Sequence, residues 1–592
     1  MKTKIFLSIF LSFLFITGYS QINNQGKNLN LDFENIQDGK PASWYIYPQK
    51  IYSVSLDSVT VKSGKYSIAI EFTGGSPYFQ PITLALPNNY EGKNITLSGY
   101  IKTENVDGYA GLWMRIDPKI GFADMSKDSV AGTTDWKKYE ISLPMNPAET
   151  QQIVLGGLLA GKGKIWLDDF HITIDGKDIS DAKIYMESLS KNEIEALKKY
   201  IYPLRTYEPD GGSTKDLNIL DKLIGNSTVV ALGENSHGSS EIYKMKNRII
   251  QYLAENKDFD IFSIEANMPE AYKLNDYTVR GESDPKKLIA GMYFWTWNTE
   301  EVLNMVEWMR GFNQSNRHIE FTGFDMQFSE GAIKEILEAF KRNAEIENKI
   351  ADLKKIFDEI KNQSQQNKEL INTGNNYMEK VNSILSSLQN SIETSVLKIS
   401  DKNWLQQNIV ILQQYAELIT QQYVPHYEVL KSTAWRDKCM ANNFMWIKEN
   451  NPNSKFIIWA HNSHIMKTDS VMGFYLEQKL SDNYTTFGFT FFDGSFTAVG
   501  NNGLTSYNAI QAYAGTLEYI LNQINEPIFI LDLKKVKLDN NKNIEWLMKR
   551  LAYRSVDGIG GSQYEFQSRK ITDDFDYLIF IKTSSPSHLL SN

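Results

Sequence analysis

The stretch Val229-Val-Ala-Leu-Gly-Glu-Asn-Ser-His-Gly238 sets the reading of most of the chain. Four apolar residues run without interruption into a polar loop bounded by two glycines. A short continuous apolar run that ends in turn chemistry predicts a strand buried on both faces, as in a parallel sheet. The same texture recurs at 259–264, 319–322, 456–459, 485–490, 528–531 and 577–581, with helical periods in between. Residues 190–592 therefore predict an α/β domain with a mostly parallel sheet. One segment, about 332–424, departs from this pattern. It is rich in Lys, Glu, Gln and Asn, lacks proline, and repeats apolar residues near i, i+3 and i+4. It predicts long amphipathic helices inserted between strands, forming either a wall or lid for a pocket or a cover on the sheet's flank.

Upstream, residues 21–180 read differently. Short alternating runs such as Tyr66-Ser-Ile-Ala-Ile-Glu-Phe72 and Ala110-Gly-Leu-Trp-Met-Arg115 are separated by Gly-Gly, Asn-Asn and Asp-Gly punctuation. Regular short strands with such turns predict an all-β sandwich. Asn30-Leu-Asp-Phe-Glu34, Gly132-Thr-Thr-Asp-Trp136 and Trp166-Leu-Asp-Asp-Phe170 resemble the jelly-roll carbohydrate-binding modules. That resemblance implies a jelly roll, a glycan as the ligand to test, and acidic residues such as Glu34 and Asp169 as the place to look for a structural calcium. Trp44, Tyr45 and Trp113 have two readings, a sugar platform or ordinary sandwich core.

The 592 residues are 42% hydrophobic and 22% charged, with 62 Lys and Arg against 71 Asp and Glu. A net charge of −9 without a basic stripe excludes a nucleic-acid footprint. Cys439, the single cysteine, excludes an intrachain disulfide framework and a multi-thiolate zinc site. Lys2 and Lys4 followed by the apolar run 5–16 predict a signal peptide over 1–20, hence export to the periplasm or beyond and no membrane span after cleavage. No glycine-rich fingerprint or P-loop points to a nucleotide, and no cofactor is expected.

Polar residues with catalytic chemistry collect just after the predicted strands. Glu234 and His237 follow the first, Glu265 ends the second, Asp325 follows the third, and His461 and His464 follow 456–459. In open α/β sheets the loops at the strands' carboxyl ends converge on one crevice. No Gly-x-Ser-x-Gly elbow is present, and Cys439 sits in a helical period without a histidine nearby. Histidine acting on water remains. His237 is the base, Glu234 or Glu265 orients its ring, and His461 or His464 stabilises an oxyanion or protonates a leaving group. The rival reading is metal: Glu234-x-x-His237 and His461-x-x-His464 have spacings that zinc or manganese accepts, though His-Glu-x-x-His is missing. Trp295 and Trp297 read equally as an apolar ligand wall and as filler between helix and sheet. Arg436 is a candidate for a substrate carboxylate or an oxyanion, with a surface ion pair near Asp437 as the plainer option.

The series Gly233-Glu-Asn-Ser-His-Gly238, a following helix with Lys246 and Arg248, Glu265-Ala266, Phe294-Trp-Thr-Trp297, Gly323-Phe-Asp-Met-Gln327, Arg436-Asp437 and Trp459-Ala-His-Asn-Ser-His464 closely resembles the erythromycin esterase family. The resemblance implies a carboxylic ester hydrolase of the antibiotic response. In it His237 activates water against a macrolactone carbonyl, without a required metal. It further implies that Glu234, Glu265, His461 and His464 support the reaction, and that Lys246 stands where the family carries a basic site residue. Lys246, Arg248, Trp295, Trp297, Asp325 and Arg436 form the expected substrate-binding set.

Overall fold

The computed structural model describes residues 29–590, except 38, 48, 87–89, 118–120, 129, 148, 151, 211, 316, 363–372, 425–431, 501–502, 540, 557 and 562–564. The predicted signal segment 1–20 lies outside the described residues. Among those described, no helix is long and apolar enough to cross a membrane.

The N-terminal region is sheet-rich. Its main strands are β1 (Tyr52–Asp57), β2 (Ser67–Phe72), β3 (Phe79–Ala85), β4 (Asn94–Asp117), β5 (Val130–Pro144) and β6 (Gln152–Ile174). The run 110–115 belongs to the much longer strand β4, which begins at Asn94. That strand pairs antiparallel with β6 from Asp117↔Gln152 to Ile95↔Ile174, with register shifts at Lys162/Lys164 and Asp168/His171. Bulges of this kind bend and twist a long strand. One length of β6 thereby pairs with β2 and another with β3. The alternate residues Leu97, Leu112, Leu155 and Ile165 face a core that also holds Phe33, Trp44 and Phe170.

The C-terminal domain is built on a second nine-stranded sheet. Eight of its strands are β7 (Ile201–Pro203), β8 (Val229–Leu232), β9 (Ile261–Asn267), β10 (Glu320–Asp325), β11 (Phe456–Trp459), β12 (Tyr484–Gly500), β13 (Ile528–Asp532) and β14 (Tyr577–Ser584), in the order β7-β13-β14-β12-β8-β11-β9-β10, and the ninth, Gly503–Asn508, pairs antiparallel with the end of β12. From β14 to β10 neighbours run parallel, whereas β13 runs antiparallel to both β14 and β7. The sheet is thus mixed, with its antiparallel part at one side.

Burial on both faces explains the uninterrupted apolar runs. Val229, Ala231, Phe456 and Ile458 point into one core, and Val230, Leu232, Ile457 and Trp459 into the other. Helices α1 (Ser240–Lys257) and α2 (Glu300–Asn313) cover the second face. The inserted helices α3 (Glu330–Ala339), α4 (Ala344–Lys361), α5 (Thr373–Glu393) and α6 (Ile399–Tyr423) contribute Ile336, Leu353, Leu388 and Leu412 to the first core, as does α7 (Ser432–Asn450) with Phe444. The insertion therefore covers the sheet's flank.

Candidate active site

The loop after β8 turns back under the loop after β11. Gly233 permits that approach, because a Cβ there would collide with the side chain of Asn462. The backbone oxygen of Glu234 receives the N–H of Asn462 at 2.7 Å. Ser239 then caps α1 by accepting from the N–H of Ile242. Glu234 and His237 are thereby fixed between strand and helix.

Glu234 has no solvent exposure. Its Oε1 lies 2.9 Å from Nδ1 of His237, and its Oε2 receives Lys246 Nζ at 2.5 Å and Trp459 Nε1 at 2.7 Å. Burial alone would raise this carboxyl, but Lys246 and His237 hold it below the ordinary carboxylate range. Burial pushes the Lys246 ammonium down to about 8 against the pull of Glu234. That ammonium also sits 4.4 Å from the centre of the Trp459 ring. His237 retains 18% side-chain exposure, and its ring centroid is 4.9 Å from that of His461.

A second carboxylate, Glu265, organises the other half. Its Oε1 receives Arg436 Nη2 at 2.7 Å and lies 3.3 Å from His464 Nε2, while its Oε2 receives the N–H of His461 at 2.8 Å. Despite burial, His464 and Arg436 hold it well below the ordinary range. Arg436 also grips Asp325 through Nε at 3.1 Å and Nη2 at 2.8 Å. His464 Nδ1 faces Asp437 Oδ1 at 2.8 Å. Burial disfavours its imidazolium, yet Glu265 and Asp437 outweigh that and push His464 up to about 10. His461 is different. Its Nδ1 accepts the N–H of Ser463 at 3.2 Å, so the proton rests on Nε2, 3.2 Å from the carbonyl of Val556.

The structure thus brings together Glu234, His237, Lys246, Glu265, Asp325, Arg436, His461 and His464. Two expected substrate contacts fall elsewhere. Arg248 is buried against Asp216, with bonds of 2.6 and 2.9 Å, and also donates to the carbonyls of Thr206 and Ser213. Residues i and i+2 on a helix point to different sides, so Lys246 and Arg248 cannot share a site. Trp297 is only 1% exposed and donates Nε1 to the backbone oxygen of Glu265 at 3.0 Å, so it supports the site from beneath. Trp295 is half-buried and close to His237: a Cβ on Gly558 would stand 3.3 Å from Trp295 and 3.6 Å from His237. Arg436 pairs with Asp325 and Glu265, and Asp437 instead holds His464. In the N-terminal region, Trp44 packs edge-on to Phe170 and donates to Asn30 O, and Trp113 donates to Ile82 O. Both are buried, which removes two members of the expected sugar platform.

Sequence reading missed Asp437 as a histidine partner, the indole N–H of Trp459, and the loop carrying Val556 and Gly558. The glycines of Gly558-Ile-Gly-Gly561 were the only local signal of a close approach there. A metal fits the donors poorly, because N–H groups already engage both oxygens of Glu234 and of Glu265, including those of the cations Lys246 and Arg436. Among the described residues, no three His, Cys, Asp or Glu side chains are arranged to hold a metal ion.

The sequence profile named erythromycin esterase matches residues 254–584, more than half of the chain. The chain belongs to the erythromycin esterase family. It is 24% identical to the putative hydrolase YbfO of Bacillus subtilis (strain 168) over 381 residues, covering 59% of this chain and 83% of that protein. It is 25% identical to the erythromycin esterase type II of Escherichia coli over 350 residues, covering 52% and 78%. Among solved structures, a mutant of the erythromycin esterase EreC in its open conformation superposes with a TM-score of 0.52 at 16% identity, covering 66% of this chain and all of that one. A succinoglycan biosynthesis protein gives a TM-score of 0.56 at 24% identity, covering 68% and 98%. Membership of the erythromycin esterase family makes this chain a hydrolase with a small-molecule substrate. Glu234, His237 and Lys246 lie just before the matched segment, and the remaining clustered residues lie within it.

Proposed function

We propose that the protein is an exported hydrolase that opens the lactone of a macrolide with water activated by His237, as part of a response to antibiotics. The observation that carries this reading is the buried Glu234 carboxylate on Nδ1 of a partly exposed histidine. A carboxylate so placed fixes the ring's tautomer and stabilises the imidazolium formed when the ring takes a proton.

In the proposed reaction water attacks the carbonyl carbon and gives a proton to His237 Nε2. The carbonyl π electrons move onto oxygen, and the charged donors of His464 and Arg436 stabilise that oxyanion. Collapse expels the alkoxide, which takes the proton back from His237 as the alcohol. The products are an acid and an alcohol on one opened ring, one water heavier than the substrate. Lys246 keeps Glu234 ionised, and Asp325 keeps Arg436 in place. The cationic partners already on both glutamates support a metal-free reaction. The N-terminal region completes the proposal as a jelly-roll module (residues 21–180) with a glycan as its ligand.

Mass spectrometry of erythromycin incubated with the protein tests the reading. The product heavier by one water is expected, absent with His237→Ala and unaffected by chelator. Intact drug alongside cleavage of another ester would overturn the lactone assignment. Metal-dependent turnover would overturn the metal-free chemistry.

A further inference from the structure

We propose that Arg554, clamped by Glu565, is a positioning residue that sets Val556 against His461 and Gly558 against His237. The inference rests on the hydrolase reading above and concerns residues outside that reaction scheme.

Arg554 is fully buried, at the end of the short strand Leu551–Arg554 that pairs with Phe566–Arg569. Its guanidinium donates Nε to Phe491 O at 2.9 Å and Nη2 to Phe492 O at 2.8 Å and Ile510 O at 2.7 Å, and it pairs with Glu565 through Nη1. Its carbon lies 4.6 Å from the Phe491 ring centre and 4.7 Å from that of Phe566. Planar, multiply donating and stacked, the group uses every property that distinguishes arginine from lysine. Glu565 additionally receives the N–H of Ile510 at 2.9 Å, and its backbone oxygen receives that of Ser555 at 2.7 Å.

The chain leaving this clamp goes directly to the active site. Val556 donates its N–H to Asn235 O at 2.7 Å, between Glu234 and His237 in sequence, and its carbonyl faces His461 Nε2. Gly558 then lies beside His237 and Trp295, where an added Cβ would press on Trp295 at 3.3 Å and touch His237 at 3.6 Å. A second line joins the same ends: Asn235 Nδ2 reaches Thr490 Oγ1 at 3.3 Å, Thr490 donates to Glu518 Oε1 at 2.6 Å, and that oxygen receives the N–H of Arg554 at 2.9 Å. Two connections thus tie the Arg554 backbone to Asn235, next to the carboxylate that holds the base. A loop fixed in this way keeps the His461 ring oriented and the space beside His237 open, the kind of support that sets catalytic geometry to fractions of an ångström.

Arg554→Lys, Glu565→Leu, Glu565→Gln and Gly558→Ala test this in the full chain, with melting temperature, kcat and KM recorded for an ester the wild type cleaves. Arg554→Lys and Glu565→Leu are expected to lose tenfold or more in kcat with KM within threefold. Glu565→Gln, which keeps the acceptor, should recover most of that loss. Gly558→Ala is expected to lose kcat at an unchanged melting temperature, so it decides the matter if the buried variants do not fold. Labelling of His461 by diethyl pyrocarbonate, read by peptide mass, should be faster in Arg554→Lys than in wild type. Variants that melt lower but keep wild-type kcat and His461 labelling would reduce Arg554 to a structural residue. A wild type that cleaves no ester would overturn the hydrolase reading alone, because the labelling still decides the positioning role.

Discussion

Glu234 stays ionised without any contact with water because three N–H donors converge on its two oxygens. Removing one partner of such a buried pair leaves the other charge uncompensated, at a cost of about 3–5 kcal/mol. Lys246→Met should therefore lower the unfolding free energy by that order in denaturant titration. Glu234→Gln keeps the shape but removes the charge that supports the His237 imidazolium. Its kcat should fall on the order of 10³-fold or more, with a native circular dichroism spectrum. The placement of Glu234 and His237 side by side was legible because both directly follow a strand that could only be buried. Arg248 was misread for the same reason it looked attractive, its nearness in sequence to Lys246. Trp297 was ambiguous because an indole that fills a core and one that walls a pocket leave the same trace in sequence.

At the scale of elements, the helix that follows the insertion, α7, presents Arg436 to Asp325 and Glu265 and Asp437 to His464. Further along the same helix, Asn443 pins it to the sheet. It donates to Phe324 O at 3.0 Å and to Gln414 Oε1 at 2.9 Å, and it accepts from Gln407 and Gln414 at 3.0 Å each. Asn443→Leu removes these bonds from the buried Gln414 amide and the Phe324 carbonyl, at about 1–3 kcal/mol for each group left unpaired. At about 2.1 cal/mol/K per residue, a domain of about 400 residues shifts by roughly 1 °C per kcal/mol, so a fall of a few degrees should appear by scanning calorimetry. Because Phe324 adjoins Asp325, kcat should fall as well. The insertion was legible from its amphipathic period and missing proline, but its role as a flank cover was not, since periodicity gives a helix's apolar face and not what lies against it. The antiparallel direction of β13 was likewise hidden, because strands buried on both faces have the same apolar runs in either direction.

For the molecule as a whole, the two cores flanking the C-terminal sheet are joined through its strands, and among the described residues the N-terminal core is a cluster apart from both. Two calorimetric transitions are therefore expected, and only the C-terminal one should carry the ionisations of the site. His464 moves from an ordinary 6.5 up to about 10 on folding, so the folded chain holds a proton that the unfolded chain releases between those values. Its stabilisation is complete below pH 6.5 and is lost as pH rises through 10. Lys246, lowered from 10.5 to about 8, acts in the opposite sense, adding stability as pH rises between those values. Glu565, raised from 4.5 to about 7, loses its stabilisation as pH rises through 7. Between about pH 7 and 8, His464 is the one of these three whose folded and unfolded proton counts differ most. One proton of difference corresponds to about 1.4 kcal/mol per pH unit. The C-terminal melting temperature should thus fall from about pH 7 to 8, and His464→Gln should flatten that fall while leaving the N-terminal transition in place. A fall that persists unchanged in His464→Gln would mean that Glu265 and Asp437 do not hold this histidine charged, and the oxyanion would then lose one of its two proposed cationic donors.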